Sequence, residues 1–232
     1  MTEPEETVWG KATRSVRTEK YLRRPSRLWD NLYRTHLIAT EFLRGSFTFR
    51  NEGPCVTVFG SARIPEDHPF YTLGIDVGSA LAKNGYTVMT GGGPGVMEAV
   101  NRGAKEAGGR SLGCNIKLPH EQLHNPYLDK WITFHHFFIR KVMLVKHSCA
   151  FIVLPGGFGT LDEVFETATL IQTKTIQRFP IILMGDGFWP ELYDFMDKAL
   201  VTNETISGND RSIFFTAREP DEAVQLIQNI TG

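Results

Sequence analysis

The chain has 232 residues, 41% hydrophobic and 22% charged, and a formal net charge of -1. That length supports one sizeable core with an appendage rather than two independent enzyme domains. A charge so close to zero gives no global pull toward nucleic acid or an anionic membrane, and no run approaches the roughly 20 apolar residues that a membrane span needs.

The opening MTEPEE is acidic. It lacks the charged-then-apolar order of a secretory signal, and its acidity is foreign to organellar transit peptides, so the expected location is cytoplasmic. Residues 11–27 carry Lys11, Arg14, Arg17, Lys20, Arg23, Arg24 and Arg27 with little apolar content, which reads as an extended basic arm. After Pro25-Ser26, apolar residues recur at Trp29, Leu32, Tyr33 and Leu37. That is helical spacing with Ser26 as N-cap, and it predicts an amphipathic helix resting on the main domain or on a second subunit. The chain thus divides into an extension over residues 1–50 and a main domain over 51–232.

From Cys55 onward, short apolar runs alternate with helical patterns. CVTVFGSA predicts a strand, and Leu73, Val77, Ala80 and Leu81 share one helical face. YTVMTGGG predicts a second strand, followed by a helix whose buried face is Val96, Ala99, Val100, Gly103, Ala104 and Ala107. RSLGCNIKL, WITFHHFF, AFIVLP, PIILMG and SIFFTA predict further strands, with helices starting near Ile139, Gly159, Trp189 and Pro220. The last helix has Ala223, Leu226, Ile227 and Ile230 on one side. Strands that are apolar throughout and separated by helices imply a parallel sheet covered on both faces: a doubly wound, Rossmann-like α/β fold. Cys55, Cys114 and Cys149 lie in or beside the apolar runs and form no CxxC pair, so buried reduced thiols are expected.

Three strand-to-helix turns are rich in glycine: Gly60-Ser61-Ala62-Arg63, Gly91-Gly92-Gly93-Pro94-Gly95 and Pro155-Gly156-Gly157-Phe158-Gly159-Thr160. One such cluster could be no more than a tight turn. Three on the carboxyl edge of one parallel sheet mark the crevice where ligands of this fold class bind. Glycines let a ligand approach the backbone, and amide N–H groups at a helix start favour an anion. Ser61, Gly92, Gly93, Gly156, Gly157, Gly159 and Thr160 are therefore candidate ligand contacts. No GxxxxGK[ST] motif is present, and GxGxxG fails because Asp162 or Glu98 stands at its sixth position. The expected ligand is a phosphate-bearing nucleotide other than a triphosphate in a Walker loop or a dinucleotide.

Two charged groups stand beside the third turn. Glu163 reads as a first-turn residue of the helix that PGGFGT opens, outside a predicted buried set of Leu161, Val164, Phe165 and Ala168. Arg140-Lys141 opens another helix, in which Ile139, Val142 and Met143 are expected to serve the core and leave Arg140 free. His120-Glu121-Gln122-Leu123-His124 spells HExxH, a zinc-hydrolase signature, but Pro119 and Pro126 confine it to little more than a turn without an apolar face. No metal or organic cofactor is expected.

GGGPGVMEAV, then RKVM at Arg140–Met143, then PGGFGTLDE at Pro155–Glu163 closely resemble the LOG (Lonely Guy) phosphoribohydrolases, long labelled lysine decarboxylase-like. The resemblance covers about residues 55–230, and the extension looks like that of the longer bacterial members. It implies a Rossmann-like homodimer or higher homo-oligomer that hydrolyses the N-glycosidic bond of a nucleoside 5'-monophosphate. Arg140 and Glu163 match the family's catalytic pair, Gly156, Gly157, Gly159 and Thr160 its phosphate loop, and Lys141 the second member of its Arg-Lys pair. Glu121 and Thr169 match further substrate-contacting positions. Short plant-type members carry Met-His-Glu where this chain has Phe137-Phe138-Ile139, and a glycine where it has Glu98. These changes border the base pocket, so AMP is the expected substrate, with cytokinin riboside 5'-monophosphate as a further one. A nucleotide-binding regulator that has lost turnover is the alternative of a different class, against which the retention of both Arg140 and Glu163 argues. A lysine decarboxylase would need a Schiff-base lysine, and nothing in the sequence marks one.

Overall fold

The computed structural model describes residues 28–118 and 124–231; the basic arm and the Ser26 cap lie outside them. Helix α1 spans Leu28–Thr48, and strand β1 spans Cys55–Phe59. There follow α2 (Pro69–Lys83), β2 (Thr87–Thr90), α3 (Val96–Glu106), β3 (Ser111–Ile116) and β4 (Lys130–Phe134). The second half holds α4 (Phe137–Lys146), β5 (Ser148–Val153), α5 (Phe158–Gln172), β6 (Ile181–Leu183), α6 (Pro190–Phe195), β7 (Phe214–Thr216) and α7 (Pro220–Thr231).

All seven strands join one parallel sheet in the order β4-β3-β2-β1-β5-β6-β7. The chain builds outward from β1 to β4, then returns to place β5 on the other side of β1. The order therefore reverses between β1 and β5, and the first and third glycine turns leave the sheet there. Each residue of β1 is buried because helices cover both faces. One core cluster, with Phe134, Ile139, Met143, Phe151 and Val164, lies under α4 and α5. The other, with Val58, Val77, Leu81, Val100 and Ile227, lies under α2, α3 and α7. Helices α2 and α3 touch backbone to backbone: a Cβ at Gly78 or Gly103 would run into the main chain of the opposing helix.

Several expectations need correction. The WITFHHFF run is not one strand: β4 ends at Phe134 and α4 begins at Phe137. The cause is a carboxylate from α1, since Glu41 accepts the backbone N–H groups of His135 and His136 where a ladder would otherwise continue. Val142 and Phe165, read as core, are 45% and 36% exposed, and Ile230 is 39% exposed. Trp29, Leu32, Tyr33 and Leu37 do not rest on the main domain either; they are exposed on the outer face of α1. That helix packs instead through Ile38 and the buried Gly45. Helical periodicity identifies an apolar stripe but not what covers it.

Candidate active site

Ser61 joins the three glycine turns through the backbone. Its N–H donates to the Pro155 carbonyl at 3.0 Å, across the point where strand order reverses, and its carbonyl accepts from Val96 N–H at 2.9 Å. Its hydroxyl accepts from Arg63 N–H at 3.1 Å. The main chain of Ser61 thus holds the rim of the crevice together. Gly95, with φ of 68°, lets the second turn pass directly over the Ser61 carbonyl, where a Cβ would stand 2.6 Å from that oxygen.

The second turn is shaped by a buried polar network that the sequence reading missed. Gly92 N–H donates to Thr90 Oγ1, and its carbonyl accepts from Asn125 N–H, both at 2.9 Å. Asn125 Nδ2 donates to the Gly93 carbonyl at 3.1 Å and to Asn101 Oδ1 at 2.9 Å. Asn101 Oδ1 also accepts from Thr90 Oγ1, while its Nδ2 donates to Ser111 Oγ and the Leu112 carbonyl. Asn101 therefore uses both donors and both lone pairs, with no exposed surface. The available signal was a polar residue set among Val100, Gly103 and Ala104 on a face otherwise small and apolar.

Arg140 lies beneath this turn. Its Nε donates to the Cys114 carbonyl within β3, 2.9 Å away. Its Nη2 would stand 2.7 Å from a Cβ at position 91, so only glycine leaves room for the guanidinium there. Its Nη1 lies 3.8 Å from Glu163 Oε1. The two residues that the sequence singled out as a catalytic pair meet in space, and both side chains are largely buried, at 13% and 4% exposure.

Helix α5 begins at Phe158, so Glu163 stands in its second turn rather than the first and is not an ordinary dipole-complementing acid. Burial is the largest influence on its carboxyl and raises it. Arg140 and Lys141 pull the other way, Glu166 and Asp162 add to the rise, and the result is pushed up to about 7. A carboxyl that changes charge near neutral pH suits acid–base work. Lys141 does not reach toward the turns. Its ammonium is held by Asp162 at 2.9 Å and by Glu166, both on α5. Burial alone would lower this ammonium, but the hydrogen bonds that it donates to Glu166 and Asp162 outweigh it and hold it above its ordinary value.

The third turn is spare in its contacts. Gly156 lies against the Thr160 side chain, where any Cβ would overlap the hydroxyl, whereas Gly157 and Gly159 face open space. Thr160 and Leu161 N–H groups turn back onto the Gly157 carbonyl at 3.0 Å. The N–H groups that precede them at the helix start have no intrahelical acceptor. Thr169 stands apart, further along α5, with its hydroxyl donating to the Phe165 carbonyl at 2.7 Å.

Glu121 and His120 lie outside the described residues. His124, the last member of HExxH, stacks on Trp131 with ring centroids 4.0 Å apart. Among the described residues no group of three or more His, Cys, Asp or Glu side chains could hold a metal ion. Of the four residues that depart from the plant pattern, Ile139 is buried in the core and Glu98 accepts from the Tyr71 hydroxyl at 3.4 Å. Phe137 and Phe138 are half exposed.

Residues 97–227 match a family described as "Possible lysine decarboxylase". A cytokinin riboside 5'-monophosphate phosphoribohydrolase of Mycobacterium tuberculosis is 38% identical over 61% of this chain and 79% of its own. One from Arabidopsis thaliana is 29% identical over 75% of this chain and 81% of its own. Among solved structures, a structural-genomics target designated TM1055 superposes with a TM-score of 0.60 at 29% identity, over 76% of this chain and 99% of its own. The molybdenum cofactor binding protein of Rippkaea orientalis shares the fold, with a TM-score of 0.57 at 24% identity over 78% and 99% of the two chains.

Proposed function

The chain belongs to the family described as possible lysine decarboxylases, the LOG phosphoribohydrolases, and we propose that it hydrolyses the N-glycosidic bond of nucleoside 5'-monophosphates. The observation that carries this reading is the buried Arg140–Glu163 pair, with Arg140 beneath Gly91 and Glu163 on the helix that the third glycine turn opens. Water adds to C1' of the ribose as the C1'–N bond breaks. The bond's electron pair leaves on the base nitrogen, which takes a proton, and the products are free base and ribose 5-phosphate. Positive charge develops on the ribose in such a cleavage, and a carboxylate close by stabilises it or activates the water, as in glycosidases. Glu163 is assigned that role. Arg140 holds the phosphate or the departing base through charge-assisted hydrogen bonds. The N–H groups that precede Thr160 in the third turn, at the start of α5, take the 5'-phosphate. AMP is the proposed substrate, with N6-substituted adenine nucleotides as relatives of the same class.

Decarboxylation through a lysine Schiff base is disfavoured by the state of Lys141. A Schiff-base lysine needs its ammonium lowered, and this one is raised by two carboxylates. A cytoplasmic location is consistent with the free thiols of Cys55, Cys114 and Cys149. A homodimer is supported by the outward aromatic residues of α1, α4 and α5, among them Trp29, Phe137 and Phe165; a monomer in solution would count against it.

The direct test is chromatography of the free base released from a panel of nucleoside monophosphates. Wild type is expected to release adenine from AMP. Glu163→Gln is expected to bind AMP yet turn over at least about 100-fold more slowly, the range for a lost acid–base group. Turnover near the wild-type rate in that variant would remove Glu163 from the chemistry.

A further inference from the structure

We propose that Glu41, on the N-terminal helix α1, is a positioning residue for Arg140. The inference rests on the reading of Arg140 as part of the reaction machinery. Glu41 lies outside the stretch that matches the family, residues 97–227. It assigns to the extension a task in the active site.

The grip of Glu41 lies where β4 gives way to α4. Strand β4 is an edge strand, and the two residues between it and α4 must find partners for their N–H groups away from the sheet. His136, the N-cap of α4, makes no side-chain capping bond of its own. The carboxylate of Glu41 instead takes the N–H groups that lead into the helix. Glu41 Oε1 accepts the N–H of His135 and, at 3.4 Å, that of His136. Glu41 Oε2 lies 2.5 Å from His136 Nδ1. One side chain from α1 thus holds His136 by both its main chain and its ring. It also brings negative charge to the positive end of α4.

The carbonyl of His136 accepts the N–H of Arg140 at 3.2 Å. The residue that Glu41 grips is therefore the one on which the first turn of α4 closes, and Arg140 is the donor that closes it. Beyond that point the guanidinium has a narrow path, past Gly91 and the Cys114 carbonyl to Glu163. A turn that frays or rotates would carry Arg140 away from all three.

Glu41 is itself held in place. Gly45 follows it by one helical turn on the same face. A Cβ at Gly45 would stand 2.8 Å from Phe134 Cζ and 3.1 Å from Met143 Cγ, so α1 can seat at this depth only with glycine there. Ser46 Oγ accepts from Lys146 Nζ at 3.2 Å near the far end of α4. These contacts fix the register of α1 along α4, and with it the height of the Glu41 carboxylate, whose side chain is 11% exposed.

The test joins a readout of the turn to a readout of the chemistry. In Glu41→Ala, amide hydrogen exchange at Arg140 is expected to accelerate about tenfold while the amides of β5 keep their protection. In the same protein kcat/KM for AMP is expected to fall about tenfold. In an Arg140→Ala background, adding Glu41→Ala is expected to change kcat/KM less than about twofold, because the group being positioned is gone. Glu41→Gln, which keeps an acceptor for the two backbone N–H groups, is expected to retain at least about half the wild-type activity, and it serves if the alanine variant folds poorly. Unchanged exchange at Arg140 would overturn the proposal, as would changed exchange with unchanged kcat/KM. An equal loss in both Arg140 backgrounds would make Glu41 a structural residue only, and overturn it too. Should wild type release no base from any nucleotide, the hydrolase reading fails on its own, and exchange at Arg140 alone decides for or against Glu41.

Discussion

The second and third glycine turns leave neighbouring parts of one sheet edge, yet they are held in opposite ways. The second is bonded from behind at its centre: Thr90 and Asn125, themselves tied together by Asn101, take up the N–H of Gly92 and the carbonyls of Gly92 and Gly93. The third is tied to the first turn only at the Pro155 carbonyl; from Gly156 on it folds back on its own helix, and Gly157 and Gly159 face open space. A turn pinned at its centre by buried side chains has a fixed shape. A turn whose first N–H groups lack acceptors has its bonding capacity still available. The comparison separates a scaffold that sets where Arg140 stands from a cradle that receives the phosphate.

The comparison is broken most severely at Asn101. Asn101→Ala would leave the buried side chains of Thr90, Asn125 and Ser111 short of partners, and each orphaned buried group costs about 1–3 kcal/mol. The expected loss is about 3 kcal/mol or more, read from urea unfolding, with base release falling alongside as the second turn shifts. A loss below about 1 kcal/mol would mean that the network does not set the turn.

The carboxyl beside the third turn offers a second, smaller effect. The Glu163 pKa is raised from 4.5 to about 7 on folding. A raised carboxyl contributes stability that is complete below its unfolded value and lost as pH climbs through its folded one. Wild type therefore gives up about 3 kcal/mol from this group between pH 4.5 and pH 8, at 1.36 kcal/mol per unit. Gln has no proton to lose. Glu163→Gln is expected to match wild type near pH 4.5 and to exceed it by about 2–3 kcal/mol at pH 8 in chemical denaturation. Curves that stay parallel across that range would mean that the carboxyl is not held neutral by its surroundings.

The third turn was legible in the sequence and the network behind the second was not. PGGFGT and GGGPG announce themselves because glycine is the signal and its spacing is local. The strands of the core were legible for the same reason: CVTVF, AFIVL and PIIL are continuous apolar runs, as a sheet covered on both faces requires. Asn101 acts through Thr90, Ser111 and Asn125, which come from two strands and a loop, and no local spacing encodes such a meeting. The end of β4 was misread because HHFF continues an apolar, aromatic run, while the group that turns it into a helix start is Glu41, far away along the chain. Arg140 and Glu163 were recognised as a pair by resemblance, but their 3.8 Å approach and the burial that shifts Glu163 belong to the fold.

The mildest substitution sharpens the comparison furthest, because it separates folding from binding within a matched pair. Gly92 has φ of 71°, and a Cβ there would also stand 3.3 Å from Gly113 Cα. Gly92→Ala is thus expected to cost about 1–2 kcal/mol of stability through backbone strain. Gly157 has φ of -95°, an ordinary conformation for any residue, and nothing within 4 Å of an added Cβ. Gly157→Ala should leave the unfolding midpoint almost unchanged, within the roughly 0.5 kcal/mol of a neutral surface change. If the open space beside Gly157 is where the phosphate sits, the new methyl group occupies it. The KM for AMP is then expected to rise about tenfold, equivalent to about 1.4 kcal/mol of lost binding, with kcat less affected. A Gly157→Ala protein with wild-type KM would put the phosphate elsewhere, and the spareness of the third turn would then have no bearing on binding.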